Sequence, residues 1–137
     1  MIMREGAGPA LTVDGVLVED GMILLVERGR EPFKGLMALP GGFVDNGETV
    51  EAAVMREMRE ETDLETEAER LLGVYSDPER DPRGHTVSVV FELRHVSGRP
   101  VGGDDAAAAG WYPLDELPEL AFDHRRIIEE CVLRPGD

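Results

Sequence analysis

One cysteine, one lysine and seven aromatic residues among 137 are the scarcities that first bound this chain. A lone Cys131 can form no internal disulfide and supplies no Cys-rich zinc site, so a reducing cytoplasm is the expected location. No apolar run approaches the roughly 20 residues that cross a bilayer, which sets membrane functions aside. The start, MIMREGAGPALTV, has no basic stretch leading into an apolar one, so no secretory signal is expected. Positive charge is scarce as well: 14 Lys plus Arg stand against 29 Asp plus Glu, a formal net charge of -15 with a pI near 4.5. Such a field repels phosphate backbones, so nucleic acid is not an expected partner and a small anion would need a metal ion to approach. Lys34 is the one lysine beside thirteen arginines, a balance that fits either a high-salt cytoplasm or arginine-biased codon usage. At 15.0 kDa there is room for one core, hence a single domain over residues 1–137 with no visible repeat.

Residues 10–28 cluster aliphatic and β-branched side chains on both sides of Glu19-Asp20-Gly21 and read as a hairpin of two strands. GREPFKG is a punctuated loop, MALP a short strand and GGFVDNGE a turn-rich stretch. Residues 49–62 hold neither Gly nor Pro and read as a helix. Strands are expected at 71–76 and 85–96, flanking the loop DPERDPRG, then at WYPL, with a closing helix in FDHRRIIEECVL. The order suggests an α+β mixed-sheet sandwich rather than a βαβ repeat.

On the helix expected at 49–62, Val50, Ala53 and Val54 share one arc of roughly 100°, the face that should meet the core. Glu57 and Glu61 fall inside that same arc, with Glu60 beside it. Three carboxylates at such spacing repel one another, burying an unpaired charge costs several kcal/mol, and the last helical turn disfavours anions. A hard divalent cation is the simplest compensation, because clustered carboxylate oxygens are its natural ligands. The competing reading is an exposed acidic face balanced by Arg56 and Arg59.

From Gly42 the chain reads GFVDNGETVEAAVMREMREETDL, which resembles the Nudix box G-x5-E-x7-R-E-U-x-E-E-x-G-U, where U is aliphatic. Gly42, Glu48, Arg56, Glu57, Met58, Glu60, Glu61 and Leu64 match, and Asp63 stands where the pattern has its last glycine. The stretches EPFKGLMALPGGFVDNGETV, LGVYSDPERDPRGHTVSVVF and WYPLDELPELAFDH are similar to the ADP-ribose pyrophosphatase branch of that superfamily, so the resemblance covers residues 11–137.

The resemblance implies an α/β/α sandwich with a mixed sheet between helices, and hydrolysis of a nucleoside diphosphate linked to another group, most simply ADP-ribose to AMP and ribose 5-phosphate. It implies Mg²⁺, with Mn²⁺ as the alternative, held by Glu57 and Glu61, with Glu60 at a second metal and the Gly41 carbonyl completing the shell. Arg56 would orient Glu57, and Glu48 would support the loop. The catalytic base is left among Glu60, Asp104 and Asp105, the last two in the loop GGDDAAAAGW. Substrate contacts fall to Arg83 and His85 in DPRGH, to Phe33 and Lys34, and to Asp123 and His124 in AFDH; Asp77 and Asp81, each before a proline, are alternatively plain turn formers. The partner is then a small-molecule nucleotide, and a homodimer is the assembly common among relatives. Two rivals remain: a MutT-type nucleoside triphosphate pyrophosphohydrolase, and a non-catalytic sensor of a nucleotide sugar, which the absence of an appended helix-turn-helix before Asp137 argues against.

Overall fold

The computed structural model describes residues 8–100 and 106–134. It is an α+β fold of eight strands and two helices: β1 Ala10–Val16, β2 Val18–Glu19, β3 Met22–Arg28, β4 Met37–Ala38, β5 Gly41–Phe43, α1 Val50–Thr62, β6 Glu65–Tyr75, β7 Thr86–Ser97, β8 Ala106–Pro113 and α2 His124–Cys131. One sheet runs β5-β1-β7-β6 and is mixed, since β1 pairs parallel with β7 and antiparallel with β5. In the second, β3 takes β2 and β4 at opposite ends and β8 along its length, all antiparallel.

The expected hairpin is therefore real but shorter than its sequence suggests. Only β2 returns on β3 across Asp20 and Gly21, while β1 leaves for the other sheet. The parallel pairing of β1 with β7 buries Val13 and Val16 between layers, a long-range preference that local alternation does not carry. GGFVDNGE likewise is not all turn, because Gly41–Phe43 forms β5 against β1. The strand expected at 71–76 begins at Glu65, directly after α1, and its three register shifts against β7 interrupt the period-two pattern that would have revealed it.

Helix α1 starts and stops where its side chains dictate. Thr49 Oγ1 accepts the Ala52 N–H at 3.1 Å, and Asp63 ends the helix in the left-handed conformation with φ 62°, its N–H donating to the Arg59 carbonyl at 3.1 Å. Ala53, Val54, Met58 and Thr62 are buried, packing on β1, β5 and β6 in a core with Val13, Leu24 and Leu64. Full burial of side chains such as Val54 and Met58 contributes about 1.5–3 kcal/mol each, enough to fix the helix's rotation and so the direction of its glutamates. Helix α2 buries Ile127 and Ile128 in a second core with Val16, Ile23, Leu25 and Leu39. Among the described residues no helix is long and apolar enough to cross a membrane.

Candidate active site

A cavity of about 180 Å³ opens where the two sheets diverge, walled by β1 and β5 on one side and by β3, β4 and residues 28–30 on the other, with α1 and the start of α2 completing it. The rotation of α1 delivers Glu57 and Glu61 to it. Glu57 has only 14% of its side chain exposed and lies so close to Gly42 that a Cβ there would sit 1.8 Å from Glu57 Oε2. Glu61 Oε1 accepts the Gly41 N–H at 2.7 Å. Two successive glycines thus allow two carboxylates to touch a bare backbone, and this close approach is the physical reason for the pair.

Arg56 does not line the cavity. Its guanidinium donates to Glu48 through Nε (2.6 Å) and Nη2 (2.9 Å), to Glu60 Oε1 through Nη1 (3.0 Å) and to the Phe43 carbonyl (3.1 Å), with Glu57 Oε1 3.6 Å away. These hydrogen bonds, with one from the Asp45 N–H, hold the Glu48 carboxyl down at about 2 and raise Arg56 above its usual range. Arg56 is a hub tying helix to loop; the expected hydrogen bond that would orient Glu57 is replaced by bonds to Glu48, Glu60 and the Phe43 carbonyl. Glu60 is more than half exposed and turned to Arg56 rather than to the cavity.

Of the other expected site residues that are described, Arg83 and His124 line the cavity and His85, Phe33, Lys34 and Asp123 do not. Arg83 makes a bidentate pair with Asp81 (Nε 3.1 Å, Nη2 2.8 Å) and lies over the rings of Phe43 and Phe122, at 5.0 and 5.6 Å. His85 Nε2 sits 2.8 Å from the Ser76 carbonyl, joining the two ends of the loop between β6 and β7. Phe33 meets Phe122 edge-on at 4.9 Å, one layer behind the cavity, while the Lys34 N–H donates to Glu31. Asp123 accepts both Nε and Nη2 of Arg80 (2.9 and 2.7 Å) and supports the wall from outside. Asp104 and Asp105 lie outside the described residues.

Sequence reading missed Arg28, Asp81 and Asp14. Arg28 reaches the cavity where β3 shifts register against β8 between Val26 and Arg28, so Val26, Glu27 and Arg28 line it in succession, which straight alternation would not give. Its Nε donates to the Pro32 carbonyl at 2.6 Å and its guanidinium lies 4.9 Å from the Phe122 ring centre. Burial first, then neighbouring Arg83, lowers its pKa, the signature of a cation crowded by another cation. Asp81 is buried; burial pushes its carboxyl up, but the hydrogen bonds from the Arg83 side chain and backbone outweigh that and hold it below its ordinary value. Asp14 is buried beneath Gly41 and accepts the Ser88 hydroxyl.

The cavity thus brings the carboxylates of α1 together with the guanidiniums of Arg28 and Arg83, with Asp14 and Asp81 also in its lining. Among the described residues no three His, Cys, Asp or Glu side chains already form a metal-holding group. Two carboxylates beside a backbone nonetheless fit Mg²⁺, which keeps several waters and uses one or two carboxylates together with substrate phosphates.

Known proteins resemble this chain in sequence and in fold. The chain is 55% identical over 122 residues to the ADP-ribose pyrophosphatase of Methanocaldococcus jannaschii, a match covering 89% of this chain and 72% of that protein. Among solved structures it resembles the MutT NUDIX hydrolase from Burkholderia pseudomallei (37% identity, TM-score 0.79, 90% of this chain and 98% of that one). It also resembles the NUDIX domain of Shewanella oneidensis NrtR complexed with ADP ribose (32% identity, TM-score 0.80, 93% and 88%). The family model described as the NUDIX domain matches residues 8–131, nearly everything described above, and the chain belongs to the NUDIX family.

Proposed function

We propose that this protein is a Mg²⁺-dependent pyrophosphohydrolase that splits ADP-ribose into AMP and ribose 5-phosphate. One observation carries the reading: a single cavity lined by Glu57 and Glu61 on bare glycine backbone and by the guanidiniums of Arg28 and Arg83. That is what a pyrophosphate needs, a place for a divalent cation on one side and fixed positive charge on the other. The 55% identity to an ADP-ribose pyrophosphatase supports the choice of substrate. At about 180 Å³ the cavity is smaller than the roughly 300–1,000 Å³ of pockets that enclose drug-sized ligands.

Glu57, Glu61 and the Gly41 carbonyl would hold the ion, which when bound neutralises pyrophosphate oxygens and supplies the Lewis acidity that phosphoanhydride hydrolysis requires. The chain's own residues do the rest. Arg56 ties α1 to the preceding loop through Glu48 and the Phe43 carbonyl, so the helix presents its carboxylates at fixed height. Arg83, gripped by Asp81 and stacked between two rings, orients the anion or a ribose hydroxyl with its remaining N–H groups. Water's oxygen forms the new bond to phosphorus as the phosphoanhydride bond breaks, and Asp104 and Asp105 are the candidate acceptors of its proton, Glu60 being held by Arg56 away from the cavity.

Measuring kcat/KM with Mg²⁺ for ADP-ribose, NADH, diadenosine polyphosphates and 8-oxo-dGTP tests this, with ADP-ribose expected to lead. A preference for 8-oxo-dGTP with release of pyrophosphate would make the protein a MutT-type enzyme instead. The likeness to the NrtR domain with bound ADP ribose favours one second reading, a sensor; calorimetric binding of ADP-ribose with Mg²⁺ and no turnover would establish it.

A further inference from the structure

Resting on the metal-platform reading, we propose that His124 and Asp14 are positioning residues that set the height of residues 39–42 over helix α1, and so the distance between Gly41 and the metal-binding glutamates. Each residue of that segment is held. The Leu39 N–H donates to His124 Nδ1 at 3.0 Å, the Pro40 carbonyl accepts the Gly15 N–H at 2.8 Å, the Gly41 N–H donates to Glu61, and Gly42 abuts Glu57. Three of these four contacts come from backbone packing or from the glutamates themselves. The first comes from a side chain on another helix, 85 residues away in sequence.

The chemistry of that contact is fixed. A backbone N–H can only donate, so Nδ1 carries the lone pair and Nε2 carries the proton. Nε2 faces Asp14 Oδ1 at 3.6 Å, and the other Asp14 oxygen accepts the Ser88 hydroxyl. Asp14 in turn lies under the segment, since a Cβ on Gly41 would be 2.7 Å from its Oδ1. His124 cannot drift either, because the chain entering α2 is laced to β4 by the Met37 N–H to the Glu119 carbonyl (3.3 Å) and the Ala121 N–H to the Met37 carbonyl (2.8 Å). The start of α2 is thereby joined to the loop that carries Gly41, as carboxylate–histidine pairs behind metal ligands orient what stands before them.

A histidine that only fills space is separated from one that positions by two substitutions of like polarity. Asn carries its amide oxygen near the place of Nδ1 and Gln near the place of Nε2. With Mn²⁺ alone as probe, binding followed by electron paramagnetic resonance should weaken by about 10-fold or more in His124→Gln and stay within about threefold of wild type in His124→Asn. Asp14→Asn, which keeps its size and the Ser88 bond, should weaken Mn²⁺ binding by about fivefold or more. Circular dichroism and hydrogen exchange at the Gly41 amide accompany each variant, with faster exchange expected in His124→Gln and Asp14→Asn but not in His124→Asn. Equal Mn²⁺ affinity in the Asn and Gln variants overturns the assignment for His124, and wild-type affinity in Asp14→Asn overturns it for Asp14. Glu61→Gln is the control: if it too binds Mn²⁺ as wild type does, the metal-platform reading itself falls and takes the positioning role with it.

Discussion

Replacing Gly42 with alanine isolates the closest approach in the site. Its backbone is not left-handed, so alanine brings no conformational strain, but the new methyl would lie 1.8 Å from Glu57 Oε2 and 2.7 Å from its carboxyl carbon. An ordinary contact starts near 3.4 Å, so the carboxylate has to retreat by about 1.6 Å. The obstacle is the far end of a flexible side chain, and the fold should lose no more than about 1 kcal/mol. Catalysis has no such freedom: displacement of a reacting group by about 1 Å costs on the order of 10²-fold, equivalent to about 2.7 kcal/mol of barrier. Gly42→Ala should therefore melt close to wild type while kcat/KM for ADP-ribose falls by about 10²-fold or more. Gly41→Ala supplies the contrast, because its methyl would sit 2.0 Å from the Val13 carbonyl oxygen, in the backbone of β1. That strand cannot yield without opening the β1–β5 ladder, and the overpacking should cost roughly 1–3 kcal/mol of stability. Thermal melts and steady-state kinetics on the two variants decide the matter. A Gly42→Ala protein with wild-type kcat/KM would refute the claim that Glu57 must rest against bare backbone to work.

Glu57→Gln keeps the shape but loses the charge, so kcat measured at saturating Mg²⁺ should drop by about 10²-fold or more with the fold retained. Asp63→Gly relieves a left-handed Asp and a further carboxylate at the helix C-terminus; urea unfolding should show a gain of about 0.5–1.5 kcal/mol with kcat changed less than about threefold. His95 Nδ1 lies 2.9 Å from Glu19 and Nε2 3.0 Å from the Gly98 carbonyl, and the bond to Glu19 raises its pKa despite partial burial. Native protein thus holds this proton more tightly than the unfolded chain, so the bond's stabilisation is full below about pH 6.5 and fades as pH rises through the raised folded value; the stability gap between wild type and His95→Gln should be wider at about pH 5.5 than at about pH 8.5. With a formal net charge of -15, self-repulsion should be screened by salt, and Tm should rise from about 0.05 M to about 0.5 M NaCl.

Helix α1 and its acids were legible because helical periodicity is local: Val50, Ala53 and Val54 set a face, and Glu57 and Glu61 on that face are costly without a partner. Thr49 and Asp63 as its boundaries were readable for the same reason. Asp14 was not, since its partner Ser88 is brought to it by β7, more than 70 residues away. Arg28 was hidden by a shift of register, which leaves no mark in composition. Asp81 before Pro82 is indeed a turn former, its Oδ1 accepting the Arg83 N–H at 2.9 Å, yet the same carboxylate also grips the Arg83 side chain, and only geometry reveals the second role. His85 drew attention by its place in DPRGH, but its Nε2 lies against the nearby Ser76 carbonyl.

The opening between the two sheets has a consequence for how such a protein tolerates change. Its acidic face is built from contacts with no slack, carboxylates on glycine backbone, so nearly any substitution there is paid in chemistry. Its cationic face is made of long side chains on loops and a strand end, Arg28, Arg83 and the rings around them, which can be exchanged without moving a helix. The two sets of groups are carried by different elements, the acids by α1 against β5 and the cations by the end of β3 and the loop before β7. A lineage can therefore redraw which molecule enters while the bond-breaking half stays as it is, a separation of what is recognised from what is done to it.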